Sequence, residues 1–395
     1  MEDRTVTKSL KRPDGNLSDE LLAAIATREP VSGHTHTFYR YPARFSPVFV
    51  REIIRHYSRL GEVVLDPFMG GGTAVVEALA LGRRAIGVDL NSLAHFVTTV
   101  KTTPLSKMDA FLLQEWLGDV LAARRRGIGE VAEPIRNLPR HLQRTWADLM
   151  TQAEWLPSVR QRQFARCALL KTGQSAIDCK DAIPSGTATV KQFAENLQEM
   201  LKAVEEFVSS CKAEGIKRRE IRQNRLLLCR STAGLEGESK LNRMDKPTLV
   251  VTSPPYPAVH ILYHRWQVQG RRETPAPYWL ASLKDGHAAS HYTFGSRSIL
   301  GLENYFQNVE QCFRSVRQVV ARNAIVVQLV AFSDAEAQLP RYLAAMEKAG
   351  FSEFDSLDIS EDNRVWRSVP NRKWYCYNGK EQDSSREVVL FHRPS

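Results

Sequence analysis

The chain has 395 residues, 43% of them hydrophobic and 25% charged, which is the composition of a folded globular protein with room for one large or two moderate domains. Its net charge of +10 favours a polyanionic partner without identifying one. No apolar run reaches membrane-spanning length, the N-terminus has no apolar signal core, and the six cysteines form no CxxC pair. They read as buried thiols in a reducing cytoplasm rather than as disulfides or a zinc site.

Residues 1–30 are polar and read as a partly ordered arm. Ser46-Pro47 caps an amphipathic helix over 47–59. The apolar run Val63-Val64-Leu65 then ends at Asp66, and a turn of three glycines (70–72) leads to a helix over 74–81, stopped by Gly82. A second apolar strand, 85–88, ends at Asp89. This strand–turn–helix–strand unit has the length of a right-handed parallel crossover.

Residues 105–224 differ. They carry helical periodicity over 111–123, 142–149 and 190–209, and the basic runs Arg124-Arg125-Arg126 and Lys217-Arg218-Arg219. They read as a mostly helical insertion. Strands resume at 226–228 and 249–251. A helix over 304–321, a strand over 324–330, a helix over 339–349 and a last strand over 387–391 follow. Strands alternating with helices imply an α/β fold with a doubly wound, mostly parallel sheet. The α/β core would then be 1–104 with 225–395, and the inserted region 105–224 the candidate for recognising the partner.

Two strand ends carry chemistry. In an open α/β sheet, ligands sit outside the carboxyl ends of the strands. Asp66 to Thr73 forms one such end, and Asp89, ending the next strand, suits a ribose-hydroxyl acceptor. No Gly-Lys-Ser/Thr follows the glycines, and Asp66 would repel a phosphate. A cationic ligand, such as the amine or sulfonium of S-adenosylmethionine, suits it better. The other end is Ser253-Pro254-Pro255-Tyr256. Two prolines cannot continue a central strand, so the chain must leave it there in a stiff loop bearing a hydroxyl, free carbonyls and an aromatic ring.

The stretch Val64 to Thr73 resembles the cofactor motif of the DNA amino-methyltransferases, with Gly71 where Ser is commoner. Ser253 to Tyr256 resembles that family's catalytic tetrapeptide, and Phe38 to Phe45 its segment that closes over the methionine end of the cofactor. The resemblance covers about 20–104 and 225–395. It implies a Rossmann-like AdoMet methyltransferase fold. It implies that Asp66, Pro67, Phe68, Gly70, Gly72, Thr73 and Asp89 bind S-adenosyl-L-methionine, with Tyr39 and Pro42 as lids. It further implies that Ser253, Pro254, Pro255 and Tyr256 are catalytic, that double-stranded DNA is the partner, and that no metal is required. Ser in the first position is associated mainly with cytosine-N4 methylation. A cognate restriction endonuclease or phage-defence proteins in a prokaryotic cytoplasm would be the setting. The alternatives are adenine-N6 in DNA, a guanine amine in RNA, a non-catalytic DNA-binding module with this fold, and an NAD-dependent dehydrogenase. The last leaves the tetrapeptide unexplained.

Weaker candidates are Tyr263-His264-Arg265-Trp266 with Arg271-Arg272, for the base pocket or phosphate. Basic and aromatic residues also interleave at 363–367 and 371–375. His34-Thr35-His36 reads as a solvent-exposed turn rather than a metal pair.

Overall fold

In the computed structural model, residues 17–27, 29–41, 45–122, 129–257, 265–269, 272–284, 294–295, 298–354, 364–368 and 386–395 are described. The central sheet holds β1 (Val63–Asp66), β2 (Arg84–Asp89), β3 (Arg225–Cys229), β4 (Leu249–Thr252), β7 (Ile325–Phe332), β8 (Phe351–Glu353) and β10 (Arg386–Pro394). Their spatial order is β3-β2-β1-β4-β7-β10-β8. The short β9 (Val365–Ser368) pairs with the first residues of β10. β5 (Trp266–Val268) and β6 (Arg272–Thr274) form a separate antiparallel pair. β3, β2, β1, β4 and β7 are parallel, and β10 runs against β7 and β8. The sheet is therefore doubly wound and mostly parallel. Its order reverses between β1 and β4, and that reversal opens a crevice at the strand carboxyl ends.

Alternation of apolar residues sends the two sides of each strand into different cores. Val64, Val251, Leu329 and Val389 face one core, with α1 (Leu17–Ala26), α2 (Pro47–Tyr57) and α3 (Thr73–Ala80). Val63, Leu65, Val250, Val326 and Val388 face the other, with α10 (Ile299–Val319) and α11 (Ala335–Lys348). Within the expected arm, residues 17–26 are ordered as α1, with Leu21 and Ile25 buried against α2. α11 starts a turn earlier than its periodicity suggests, since Asp334 caps it by accepting from the Ala337 N–H at 3.1 Å.

A third core lies among helices. It joins α4 (Ser92–Lys101), α5 (Lys107–Leu121), α6 (Arg140–Glu154), α7 (Val159–Ile177) and the first part of α8 (Gly186–Ala213) to β5 and α9 (Ala276–Leu280). The helical segment is not set apart from the sheet. The last turns of α8 carry Phe207, Val208 and Cys211 into the core beneath α3. Arg218 lies in one of the two basic runs, and its guanidinium bonds Glu205 and the Leu105 carbonyl. The run 124–126 lies outside the described residues. Cys167, Cys211 and Cys312 are buried, but Cys179 and Cys229 are exposed, so the reading of the cysteines as buried thiols holds for only part of the set.

Candidate active site

The two motifs meet at the reversal of strand order. Asp66 ends β1 and Thr252 ends β4, and these strands are neighbours. The Thr252 hydroxyl donates to Asp66 Oδ1 at 2.7 Å, which ties together two loops 186 positions apart. An open cleft of about 1140 Å3, counted to its solvent-filled mouth, lies over them. Asp66, Pro67, Phe68, Gly70, Thr73 and Asp89 line it from one side, and Ser253, Pro254, Pro255 and Tyr256 from the other.

The glycine turn is shaped by hydrogen bonds to carboxylates. The Phe68 N–H donates to Asp66 Oδ1 at 3.1 Å, and the Gly70 N–H donates to Asp89 Oδ2 at 2.8 Å. The Asn91 N–H donates to Asp89 Oδ1 at 2.8 Å. Each Asp89 oxygen keeps a lone pair, so the group can still accept from a diol. Gly70 and Gly72 have φ of +46° and +77°, where a side chain is strained. Gly72 does not line the cleft. It starts α3, and a Cβ there would lie 2.5 Å from Thr98 Oγ1 on α4. A Cβ at Gly71 would lie 3.0 Å from Tyr41 Cβ and 3.7 Å from Lys101 Nζ, so these two side chains fill the space a Ser would need.

Burial pushes the Asp66 carboxyl up to about 7, against the pull of the Thr252 and Phe68 hydrogen bonds. Burial also pushes Asp89 up to about 6, opposed by the Asn91 and Gly70 N–H groups. Both carboxyls therefore take their charge at a cost, and a cation or a hydroxyl donor in the cleft would relieve it.

Sequence reasoning missed several groups here. Tyr41, His36 and Lys101 line the cleft. Lys101 is 2% exposed, and its ammonium donates to the Gly71 carbonyl at 2.7 Å. His36 is no solvent-exposed turn residue: it is 1% exposed, with Nε2 2.7 Å from Glu77 Oε1. Arg51 donates to both Glu77 oxygens, from Nε at 2.8 Å and from a terminal nitrogen at 3.0 Å. Burial alone would raise Glu77, but the His36 and Arg51 hydrogen bonds and charges hold it down at about 2. Burial keeps His36 below its ordinary value, and its Nδ1 has no hydrogen-bond partner among the described residues. Among the described residues no cluster of three His, Cys, Asp or Glu could hold a metal.

Tyr39 is not a lid. It is 2% exposed in the helical core, and its hydroxyl accepts from Trp266 Nε1 at 3.1 Å. Pro42, the other expected lid, lies outside the described residues, as do Tyr263, His264, Arg271, Asn363 and 371–375. Trp266 is spent on the helical core, 6.2 Å from the Trp146 ring, and not on a base pocket.

The tetrapeptide is braced from behind. The Tyr305 hydroxyl on α10 donates to the Pro255 carbonyl at 2.8 Å, so that carbonyl is not free. The Ser253 hydroxyl donates to the Tyr256 oxygen at 3.0 Å, and the Tyr256 hydroxyl donates to Glu387 Oε1 at 3.2 Å.

A family model described as "DNA methylase" matches residues 7–98, the segment that holds the glycine turn and both carboxylates. Over this segment the chain is similar to the DNA amino-methyltransferases. It is similar to the type II methyltransferase M.MjaII of Methanocaldococcus jannaschii, at 32% identity over 88 residues, covering 22% of this chain and 16% of that protein. It is also similar to the type II methyltransferase M.MvaI of Kocuria varians, at 38% identity over 74 residues, covering 18% and 16%. The match thus spans about a sixth of the length of these relatives. Among solved structures, TrmN from Thermus thermophilus is 12% identical with a TM-score of 0.32, over 89% of this chain and 49% of that one. The rRNA methyltransferase aviRa from Streptomyces viridochromogenes is 11% identical with a TM-score of 0.31, over 90% and 89%.

Proposed function

We propose that this protein is a DNA amino-methyltransferase that methylates the exocyclic N4 amine of cytosine, with S-adenosyl-L-methionine as methyl donor. The observation that carries the reading is the Thr252–Asp66 hydrogen bond, which sets the glycine turn and Ser253–Tyr256 across one cleft. The family model's description supports DNA as substrate, and a cognate restriction endonuclease in the same cell is part of the proposal.

The donor set suits the cofactor. Asp89 has lone pairs for the ribose hydroxyls, and Asp66 offers a carboxylate to positive charge. Lys101 and His36 Nδ1 offer a cation and an acceptor to an α-amino acid. Bound S-adenosylmethionine supplies an electrophilic methyl group. The protein supplies orientation. An exocyclic amine is a weak nucleophile because its lone pair is delocalised into the ring. Acceptors placed on its N–H groups return density to nitrogen and hold the lone pair toward the donor. Ser253 Oγ and the Pro254 carbonyl, which accepts nothing from the described residues, are those acceptors. Tyr256 and Phe68 wall the cleft where an extruded base would lie. Catalysis is then positioning and electrostatics without a covalent enzyme intermediate. The helical layer over 105–224 is assigned to target recognition. Its α6 surface bears exposed Arg140 and Arg144 one turn apart, suited to backbone phosphates.

The test is transfer of tritium from methyl-labelled S-adenosylmethionine to duplex DNA. Wild-type protein should label DNA. Ser253→Ala should lose most transfer while keeping cofactor affinity, and loss of cofactor binding instead would show that the two sites are assigned wrongly.

A further inference from the structure

Glu387 enters the cleft's chemistry from the far end of the chain. β10 runs antiparallel to β7, so its first residues, not its last, lie at the carboxyl rim of the parallel strands, with Glu387 beside Ala331. The side chain is 6% exposed and accepts the Tyr256 hydroxyl at 3.2 Å; Tyr256 in turn accepts the Ser253 hydroxyl at 3.0 Å.

The polarity of this chain matters. A serine hydroxyl has one proton and two lone pairs, and it can face a ligand as donor or as acceptor. An amine about to be methylated needs an acceptor. A serine that donated into the cleft would compete for the nitrogen lone pair and block the reaction. A carboxylate is acceptor-only. By taking the Tyr256 proton it obliges the Tyr256 oxygen to accept from Ser253. The Ser253 proton is then held on Tyr256, which leaves its lone pairs for the amine.

We propose that Glu387 is a positioning residue that acts through Tyr256 to fix Ser253 as a hydrogen-bond acceptor toward the target amine. This rests on the methyl-transfer reading above. It gives a serine the one-way character that a carboxylate or amide oxygen would have in the same place.

The experiment compares wild type with Glu387→Gln, Tyr256→Phe, the double variant and Glu387→Asp. It reads kcat for methyl transfer to duplex DNA, KM for DNA, and the Kd of S-adenosylhomocysteine by calorimetry. The glutamine amide can donate to Tyr256 and reverse the chain. Glu387→Gln should therefore lower kcat by roughly 10- to 100-fold, with Kd and KM unchanged. Tyr256→Phe keeps the ring, leaves the buried charge in place and should lower kcat to a similar extent. In that background Glu387→Gln should add nothing, because the chain is already broken. Glu387→Asp should restore part of the loss. Unchanged kcat in either single variant, losses that multiply in the double variant, or a parallel fall in cofactor affinity would overturn the assignment. If Glu387→Gln does not fold, Tyr256→Phe alone decides, since wild-type kcat there refutes the relay. Wild-type protein that methylates no base amine would instead overturn the functional reading itself.

Discussion

Asp66→Asn should flatten the pH dependence of stability. The Asp66 carboxyl is 3% exposed and is raised from 3.8 to about 7 by burial. A group raised on folding stabilises fully below its unfolded value, and that contribution is lost as pH rises toward the folded value. The loss therefore begins near pH 4 and is complete above pH 7. Its full size is about 4 kcal/mol, of which somewhat more than half falls between pH 5 and pH 8. At ~2.1 cal/mol/K of unfolding entropy per residue, that is roughly 3 °C of Tm in a chain of this length. Asn keeps an oxygen to accept from Thr252 and the Phe68 N–H but does not titrate. Thermal melts at half-unit steps from pH 5 to pH 8, without cofactor, should show the wild-type Tm falling about 3 °C further than that of Asp66→Asn, whatever the constant offset between them. Asp89 remains in both proteins, and its charge is the smallest of the influences on Asp66, so its part in the comparison is small. Parallel curves would refute the claim that Asp66 is held partly neutral. Saturating S-adenosylmethionine, which carries positive charge, should shrink the difference, while NAD should leave it unchanged.

Glu77→Ala should destabilise the protein by about 3 kcal/mol or more in denaturant titration, because it strands the Arg51 charge and the buried His36 together. Gly72→Ala should lower Tm by several degrees, since its Cβ would overlap Thr98 and its φ is +77°. Lys101→Met should weaken S-adenosylhomocysteine binding roughly tenfold by calorimetry and leave methylthioadenosine, which lacks the amino-acid end, unchanged. An equal loss for both ligands would place Lys101 elsewhere in the cleft. Tyr256→Ala should lose most transfer with cofactor affinity retained, and a wild-type rate would remove Tyr256 from the site.

The legible parts of the fold were those with a strong local cause. Val63 to Asp66 and Leu249 to Thr252 are short apolar runs stopped by residues that cannot continue a strand, and both became neighbouring parallel strands. The loops after them face one cleft for that reason. α7 escaped notice because it is buried around most of its circumference, with Phe164, Leu169, Thr172 and Gln174 all inside, so it shows no polar face to set a period. His36 looked exposed because its partner, Glu77, lies 41 residues on, across the fold. Glu387 was invisible for the same kind of reason. Its role depends on an antiparallel strand reaching the rim where Tyr256 stands, and no local pattern records that. Tyr39 and Tyr41 stand two positions apart in one aromatic segment, and no local pattern records that Tyr41 lines the cleft while Tyr39 anchors Trp266.

The central claim is that the cleft between Asp66 and Ser253 moves a methyl group onto a base amine. Mass spectrometry of nucleosides from duplex DNA incubated with the protein and S-adenosylmethionine tests it most directly. N4-methylcytosine, absent from the Ser253→Ala control, is the expected product. N6-methyladenine in its place would contradict the choice of base, and unmodified nucleosides from protein that binds both ligands would contradict the account as a whole.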